Sequence, residues 1–175
     1  MSPMNIVIAS MGKVDKVILH RLRDDLCGSF PGSASIGLDL LLPEYAFNQY
    51  KNQYYSRPIV DRIADNLAYS AFQRVLAVID RDLYVPESEF VFGDATGRAG
   101  VISLTRLRPE YYGLAVDPGL FRKRVLTEAA HELGHTYGLF HCANARCVMA
   151  YSTDAAHMSA KGPEFCLPCR SLLAG

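Results

Sequence analysis

The sequence has no long apolar run and no excess of charge of either sign. In its 175 residues Lys plus Arg and Asp plus Glu each number 18, so the formal net charge is +0. That balance gives no reason to expect a nucleic acid or a membrane surface as a partner. No segment approaches the roughly 20 apolar residues of a membrane-spanning helix. The composition, 50% hydrophobic and 21% charged, is that of a globular chain.

Two further signals are missing. The first ten residues lack the basic segment and the long apolar core of a signal peptide, so a cytoplasmic location is expected. In a reducing cytosol the five cysteines are expected to need an explanation other than disulfides. Gly93, Gly97 and Gly100 do not follow a strand-to-helix phosphate loop, so a nucleotide site is not expected either.

One stretch near the end of the chain has the pattern of a zinc-binding helix followed by a turn. His131 and His135 are four residues apart, which places them on one helix face about 6 Å apart along the axis. Glu132 projects roughly 100° around the helix, so its carboxylate is expected beside the metal rather than on it. Gly138 suits the left-handed turn that ends a helix, and the turn would bring His141 round as a third ligand. Three histidines and one water form an open, catalytic zinc site.

The alternative is that these are ordinary histidines and an ordinary glutamate beside a core, because His-Glu-x-x-His also arises by chance. Gly138 and His141 make the zinc interpretation the favoured one. Glu132 adds nothing as a ligand, and its presence favours an enzyme over a peptide-binding protein whose zinc sites are only structural.

A second metal site is indicated by Cys142, Cys147, Cys166 and Cys169. Four thiolates in two pairs match a closed, structural zinc site that would staple the irregular tail. Two disulfides and a redox Cys-x-x-Cys remain as alternatives.

Hydrophobic periodicity predicts the remaining elements. The predicted elements are a strand at Asn5–Ala9, a helix at Lys13–Phe30, strands at Ser35–Leu42 and Val75–Ile79, a helix from Pro58 to about Arg74, strands at Glu89–Phe92 and Ala99–Thr105 joined through Gly93–Gly97, and the metal helix at Pro118–Gly138. The segment 44–57 is expected to be a loop or a short insertion. A short edge strand just before the metal helix could bind an extended peptide through its unpaired backbone groups.

Four other residues carry smaller predictions. Asp80 and Asp82 follow a strand and could bind a cation, although paired acids are common in turns without one. Glu128 precedes His131 by three residues and is expected either to support the metal site or to form a surface salt bridge. Cys27 is expected to be a core thiol.

The combined pattern resembles the archaemetzincins, a zinc metallopeptidase family of archaea, bacteria and vertebrates. The residues that carry the resemblance are His131-Glu132-x-x-His135-x-x-Gly138-x-x-His141-Cys142, then Cys147-x-Met149, then Cys166-x-x-Cys169. The resemblance implies a metzincin-like α/β (α+β) domain with a mixed, mostly parallel sheet, an antiparallel edge strand, two backing helices and an active-site helix. It also implies two zinc ions: a catalytic one on His131, His135 and His141, and a structural one on the four cysteines.

Met149 and Tyr151, which follow the third histidine in the sequence, fit the same resemblance. Met149 has the place of the Met-turn that packs beneath the catalytic zinc in metzincins. Tyr151 has the spacing of a tyrosine that in some metzincins steadies the oxyanion; a tyrosine that packs against the turn is the alternative.

The expected protein is therefore a zinc-dependent metallopeptidase that hydrolyses peptide bonds with a zinc-activated water and Glu132 as the general base. The alternative is a catalytically weak or silent, zinc-stabilised peptide-binding protein. One domain is expected over residues 1–175, with a sheet-and-helix part at 1–138 and a Met-turn and four-cysteine part at 139–175. A cytoplasmic monomer that acts on peptides or proteins is expected.

Overall fold

The fold is a five-stranded sheet with helices on both faces, a smaller sheet beside it and a partly helical C-terminal tail. A computed structural model describes residues 4–30 and 32–174. The elements of these ranges are β1 (Met4–Met11), α1 (Lys16–Ser29), β2 (Gly32–Leu40), β3 (Phe47–Asn48), β4 (Gln53–Tyr55), α2 (Ser56–Ala64), β5 (Arg74–Ile79), β6 (Leu83–Val85), β7 (Ser88–Val91), β8 (Gly93–Thr96), β9 (Ala99–Ser103), α3 (Pro118–Thr136), α4 (Ala155–Lys161) and α5 (Leu167–Ala174). Short 3-10 turns lie at Glu44–Ala46, Leu67–Tyr69, Thr105–Leu107 and Pro109–Tyr112.

The main sheet has the strand order β2-β1-β5-β9-β8. The first four strands are parallel, and β8 pairs antiparallel with β9 at the edge. The prediction of a mostly parallel sheet with an antiparallel edge strand is confirmed. The edge strand itself was predicted as the linker between two strands, which was wrong: β9 is an inner strand and Gly93–Thr96 forms the edge.

The sheet is covered by two hydrophobic cores because side chains alternate between the faces of a strand. In β1, Ile6 and Ile8 enter one core and Val7 and Ala9 the other. The first core includes residues of α1 and α3, and the second includes the buried apolar residues of α2. The two helices that back the sheet, α1 and α2, therefore pack on opposite faces, and α3 shares a face with α1.

The segment 44–57, predicted as a loop, contains a 3-10 turn and two short strands. Here β3 pairs with β4, and β4 joins β6 and β7 to form the smaller sheet, in the order β3-β4-β6-β7. The side-chain amide of Gln53 anchors this sheet, because it donates to Asp82 Oδ2 and to the Glu89 carbonyl, both at 2.9 Å.

The helix predicted from Pro58 to about Arg74 is shorter than expected, because α2 ends at Ala64. The apolar spacing continues beyond that point, but Asn66 Oδ1 accepts a hydrogen bond from the Ala68 amide at 3.0 Å. Such a side-chain bond to the backbone two residues on favours a turn over a helix.

Packing bears on two of the smaller predictions, the cation site considered at Asp80 and Asp82 and the core position expected for Cys27. Asp80 pairs with Arg108 at 2.6 Å and Asp82 with Arg106 at 2.8 Å, so both carboxylates have arginine partners where a cation site was considered. Cys27 is exposed and is not a core thiol.

The helix α3 begins as predicted, since Asp117 Oδ1 accepts a hydrogen bond from the Leu120 amide at 2.9 Å and Pro118 fits the first turn. It ends at Thr136, two residues before Gly138. The tail, predicted to be irregular, contains the helices α4 and α5, and the Asp154 side chain caps the start of α4. Within the described ranges, no helix has the length and apolar character that a membrane crossing requires.

Candidate metal centre and active-site cavity

The C-terminal half of α3 brings two histidines to one point. His131 and His135 lie on one face of the helix, and their Nε2 atoms are 3.1 Å apart. Two nitrogens at about 2.0–2.1 Å from a tetrahedral ion would be about 3.3–3.4 Å apart. The pair therefore fits a metal ion with little adjustment.

The turn after α3 adds the third histidine. Gly138 has φ +86°, the left-handed region that glycine favours, and the Leu139 amide donates back to the Gly134 carbonyl at 3.0 Å. The His141 ring then lies 4.9 Å from the His135 ring, centre to centre. One ring nitrogen from each of the three histidines lies within 4.8 Å of the others, a group that could hold one metal ion.

Backbone carbonyls fix the orientation of the two helical imidazoles. His131 Nδ1 lies 2.8 Å from the Val148 carbonyl and His135 Nδ1 lies 2.8 Å from the Leu139 carbonyl. If each Nδ1 carries the proton, each Nε2 presents its lone pair to the metal. Burial lowers the pKa of His131 to about 3 and also lowers that of His135 and His141. The imidazoles are therefore neutral, which is the form that binds metals.

Glu132 lies in a narrow space between α3 and the last two strands of the main sheet. Its side chain is 5% exposed. A Cβ added to Gly93 of β8 would come 2.7 Å from Glu132 Cγ, and one added to Gly100 of β9 would come 3.3 Å from Glu132 Cβ. Burial, with Glu128 beside it, raises the pKa of Glu132. A raised pKa suits a carboxylate that must take up a proton and release it again.

Two further charged residues beside this glutamate are buried, Glu128 and Lys161. Glu128 is 4% exposed, so the surface salt bridge considered for it is wrong. Lys161, the last residue of α4, is 6% exposed. Glu128 was expected as one of two alternatives from its spacing to His131, but no sequence spacing links Lys161 to the histidines.

A cavity of about 850 Å³ joins these groups. The three histidines, Glu128, Glu132 and Lys161 line it, and the whole of the edge strand β8 forms part of its wall. Tyr151 lies at its mouth, with its ring 5.1 Å from the His141 ring, and is 66% exposed.

The four predicted cysteines form a second group directly beside the first. Their Sγ atoms all lie within 4.8 Å of one another, and those of Cys142 and Cys166 are 3.8 Å apart. Four sulfurs at about 2.3 Å from one tetrahedral ion would be about 3.8 Å apart. All five cysteines of the chain are free thiols, so the disulfide alternative does not hold. A hydrogen bond from the Cys169 backbone lowers the pKa of Cys166 to about 7, whereas burial raises the pKa of Cys147 and Cys169. Of these three, Cys166 is the one most readily present as the thiolate that binds metals.

The turn that contains Met149 links the two groups. Its Val148 carbonyl faces His131 Nδ1, its Met149 carbonyl accepts from the Cys142 amide at 2.9 Å, and its Ala150 carbonyl accepts from Lys161 Nζ at 2.7 Å. The Met149 side chain is fully buried against α3, and a Cβ on Gly134 would overlap its sulfur. The predicted residue thus packs under the histidine-bearing helix.

Comparison with known proteins places this arrangement in a family. The sequence model of Peptidase family M54 matches residues 39–174. An archaemetzincin of Methanopyrus kandleri is 40% identical over 134 residues, which cover 75% of this chain and 72% of the relative. An archaemetzincin of Methanocaldococcus jannaschii is 36% identical over 168 residues, 95% of this chain and 90% of the relative.

Solved structures agree with the sequence matches. The crystal structure of archaemetzincin from M. kandleri has a TM-score of 0.85 and 32% identity over 99% of this chain and 97% of that chain. The structure of a zinc-dependent peptidase from Methanocorpusculum labreanum also has a TM-score of 0.85, with 28% identity over 96% of this chain and 99% of that one.

The fold, the two ligand groups and these matches define a zinc metallopeptidase, an enzyme of the hydrolase class. The chain belongs to peptidase family M54, the archaemetzincins. The prediction of this family from the histidine and cysteine pattern is confirmed. A peptide or a protein is therefore its substrate.

Proposed function

We propose that this chain hydrolyses peptide bonds with Glu132 as its general base and with two zinc ions, a catalytic one on His131, His135 and His141 and a structural one on the four cysteines. The observation that carries the proposal is that a buried glutamate and three converging imidazoles line one cavity. The spacing of the ligand atoms, described above, supports both ion sites.

A zinc ion at the three histidines would supply Lewis acidity, which polarises a peptide carbonyl and makes a water molecule easier to deprotonate. Glu132 takes the proton from the attacking water and passes it to the leaving amine. Its place between Gly93 and Gly100 fixes the carboxylate, and burial keeps bulk water away from it.

The substrate is held as an extended strand. The edge strand β8 lines the cavity and has β9 as its only partner strand among the described residues, so its outer backbone groups can pair with a peptide. Tyr151 lies at the mouth beside His141 and is exposed enough to turn. Its hydroxyl donates a hydrogen bond to the carbonyl oxygen as negative charge develops there.

The test compares zinc-loaded wild type with Glu132→Ala on a library of internally quenched peptides. Wild type should cleave peptides, and the variant should lose about 10²- to 10⁴-fold in rate, the usual contribution of a general base, while it keeps its zinc. Glu44→Ala, an exposed glutamate outside the cavity, is the control and should keep full activity. Unchanged turnover in Glu132→Ala contradicts the mechanism, and peptide binding without turnover in wild type favours the peptide-binding alternative.

The remaining expectations about the whole protein stay predictions. They are the single domain over residues 1–175 with its division at 138, the monomeric state, the cytoplasmic location, and the absence of nucleic-acid and membrane partners.

A further inference from the structure

Arg57 carries a positive charge on the wall of the cavity and has no part in the proposed mechanism. Among the described residues that line the cavity, the lysines and arginines are Arg57 and Lys161. Lys161 is 6% exposed, whereas the side chain of Arg57 is 41% exposed. A cation that lines the cavity and is also open to solvent can meet a charge carried by the substrate.

The guanidinium group of Arg57 is only partly used within the protein. One of its Nη atoms donates to Asp94 Oδ1 at 3.0 Å. The other oxygen of that carboxylate accepts a hydrogen bond from Ser56 Oγ at 2.7 Å. Within the described residues Arg57 makes this one side-chain hydrogen bond. Most of the five N–H donors of the guanidinium group therefore remain available to a ligand.

The Asp94 side chain shows on which face of the main sheet Arg57 lies. Side chains alternate between the two faces along a strand, and β8 pairs Asp94 with Val101, a residue of the core that includes α2. The preceding residue, Gly93, faces Glu132 of α3. Asp94 and Arg57 therefore lie on the α2 face of β8, and the proposed general base lies on the α3 face.

A peptide paired with β8 would continue this alternation. Its side chains would point in turn to the α3 face, where the histidines and Glu132 lie, and to the α2 face, where Arg57 lies. Directly opposite side chains on neighbouring strands have Cβ atoms about 4.5–5.5 Å apart. The guanidinium group, which is held against the Asp94 carboxylate, is therefore within reach of the peptide side chain beside Asp94.

The charges on the two faces decide which kind of side chain Arg57 would bind. Asp94 is 11% exposed and already accepts two hydrogen bonds, so the exposed member of this ion pair is the cation. Glu87 also lines the cavity, but Arg57 forms its ion pair with Asp94 and not with Glu87. Glu128 and Glu132 belong to α3, and a zinc ion on the histidines would offset their charge on that face. The α2 face therefore favours an anion.

We propose that Arg57 is a specificity-determining residue, which binds an acidic side chain of the substrate peptide on the α2 face of β8. The proposal rests on the function proposed above, in which a peptide pairs with β8. It makes the preferred substrates peptides with an aspartate or a glutamate whose side chain points away from the zinc site. Because side chains alternate with a period of two, that residue lies an odd number of positions from any residue that faces the histidines.

The first measurement is kcat/KM for variants of the library peptide that wild type cleaves fastest. Aspartate and asparagine are compared at each position in turn, so that the charge changes and the size hardly does. Wild type should prefer aspartate at one position by about two- to fivefold, the ratio that a partly exposed ion pair gives. The preference should shrink as the salt concentration rises, because the interaction is between charges open to solvent.

Three variants test whether Arg57 causes the preference. Arg57→Gln removes the charge and should abolish it, whereas Arg57→Lys keeps the charge without the planar fork and should retain part of it. Asp94→Asn removes the partner charge of the guanidinium group and should increase the preference. An arginine that only joins α2 to β8 would give no such increase. Arg62→Gln, at an exposed position of α2 outside the cavity, is the matched control and should leave the preference unchanged.

The second measurement separates this proposal from the proposed mechanism, because it needs no turnover. Zinc-loaded Glu132→Ala is titrated with fluorescently labelled forms of the aspartate and asparagine peptides. The same preference should appear in Kd and should vanish when Arg57→Gln is added.

The proposal is overturned if neither kcat/KM nor Kd distinguishes the two peptides, if Arg57→Gln keeps the wild-type ratio, or if Asp94→Asn does not raise it. A preference for lysine at the same position would also overturn it. If wild type cleaves no peptide, the proposed function fails, and Kd values for charge variants of the library peptide that binds most tightly still decide whether Arg57 recognises an acidic side chain.

Discussion

Gly93→Ala should displace the carboxylate of Glu132, the proposed general base, without removing any functional group. An added Cβ would come 2.7 Å from Glu132 Cγ, 2.8 Å from its Oε1 and 2.8 Å from the Val101 carbonyl. Neither strand can give way easily, because β8 is paired with β9 along its whole length and β9 is held on its other side by β5. The Glu132 side chain must therefore move, and the contact with the Val101 carbonyl also forces a small shift between β8 and β9.

The size of the effect follows from these distances. Carbon atoms in contact prefer about 3.5–4.0 Å, so Glu132 must withdraw by about 1 Å. A misplacement of that size can cost about 100-fold in rate, and overpacking of a core site costs about 1–3 kcal/mol of stability. The zinc content should not change, because Gly93 is not among the predicted ligands.

The assay is kcat/KM on the library peptide for a graded series of glycine variants. Gly100→Ala meets Glu132 Cβ at 3.3 Å and should lose less activity than Gly93→Ala. Gly28→Ala, at an exposed position of α1 with nothing within 4 Å of the new Cβ, should lose none. Wild-type kcat/KM in fully zinc-loaded Gly93→Ala would refute the view that this glycine makes room for the proposed base, Glu132.

Two further predictions concern the metal groups. Cys166→Ser should weaken zinc binding at the histidines as well as at the cysteines, because the Cys142 amide is bonded to the Met149 carbonyl; chelator competition that finds an unchanged affinity at the histidine site would contradict this coupling. In the metal-free protein, burial holds the pKa of His131 at about 3, against about 6.5 in an unfolded chain. The unfolded state therefore binds more protons, and stability should fall as the pH drops from about 6.5 toward 3. Urea unfolding of the chelator-treated protein between pH 7 and pH 5 measures this, and stability that rises on acidification would show that His131 is not buried neutral.

The histidine group could be predicted because its geometry is local. His131, His135 and Glu132 are fixed relative to one another by helix periodicity, and Gly138 marks the turn that returns His141. The main sheet was predictable for a similar reason, since its inner strands are continuous apolar runs that parallel sheets bury on both faces.

The rest depends on contacts between distant segments. Gly93–Thr96 has little strand propensity and becomes the edge strand because it pairs with β9. Lys161 acquires its place only when α4 packs on α3, thirty residues from His131. The end of α2 was missed because one Asn66 side-chain bond outweighs an apolar repeat that continues past it.

The three consecutive carbonyls of Val148, Met149 and Ala150 also limit how the chain can change in length. Each engages a different partner: the first histidine, the first cysteine of the second group and the buried lysine. A residue inserted or deleted inside this turn would shift all three partners out of register together. The stretches before and after it carry no such triple constraint, so natural or engineered length variation should accumulate there and leave this tripeptide uninterrupted.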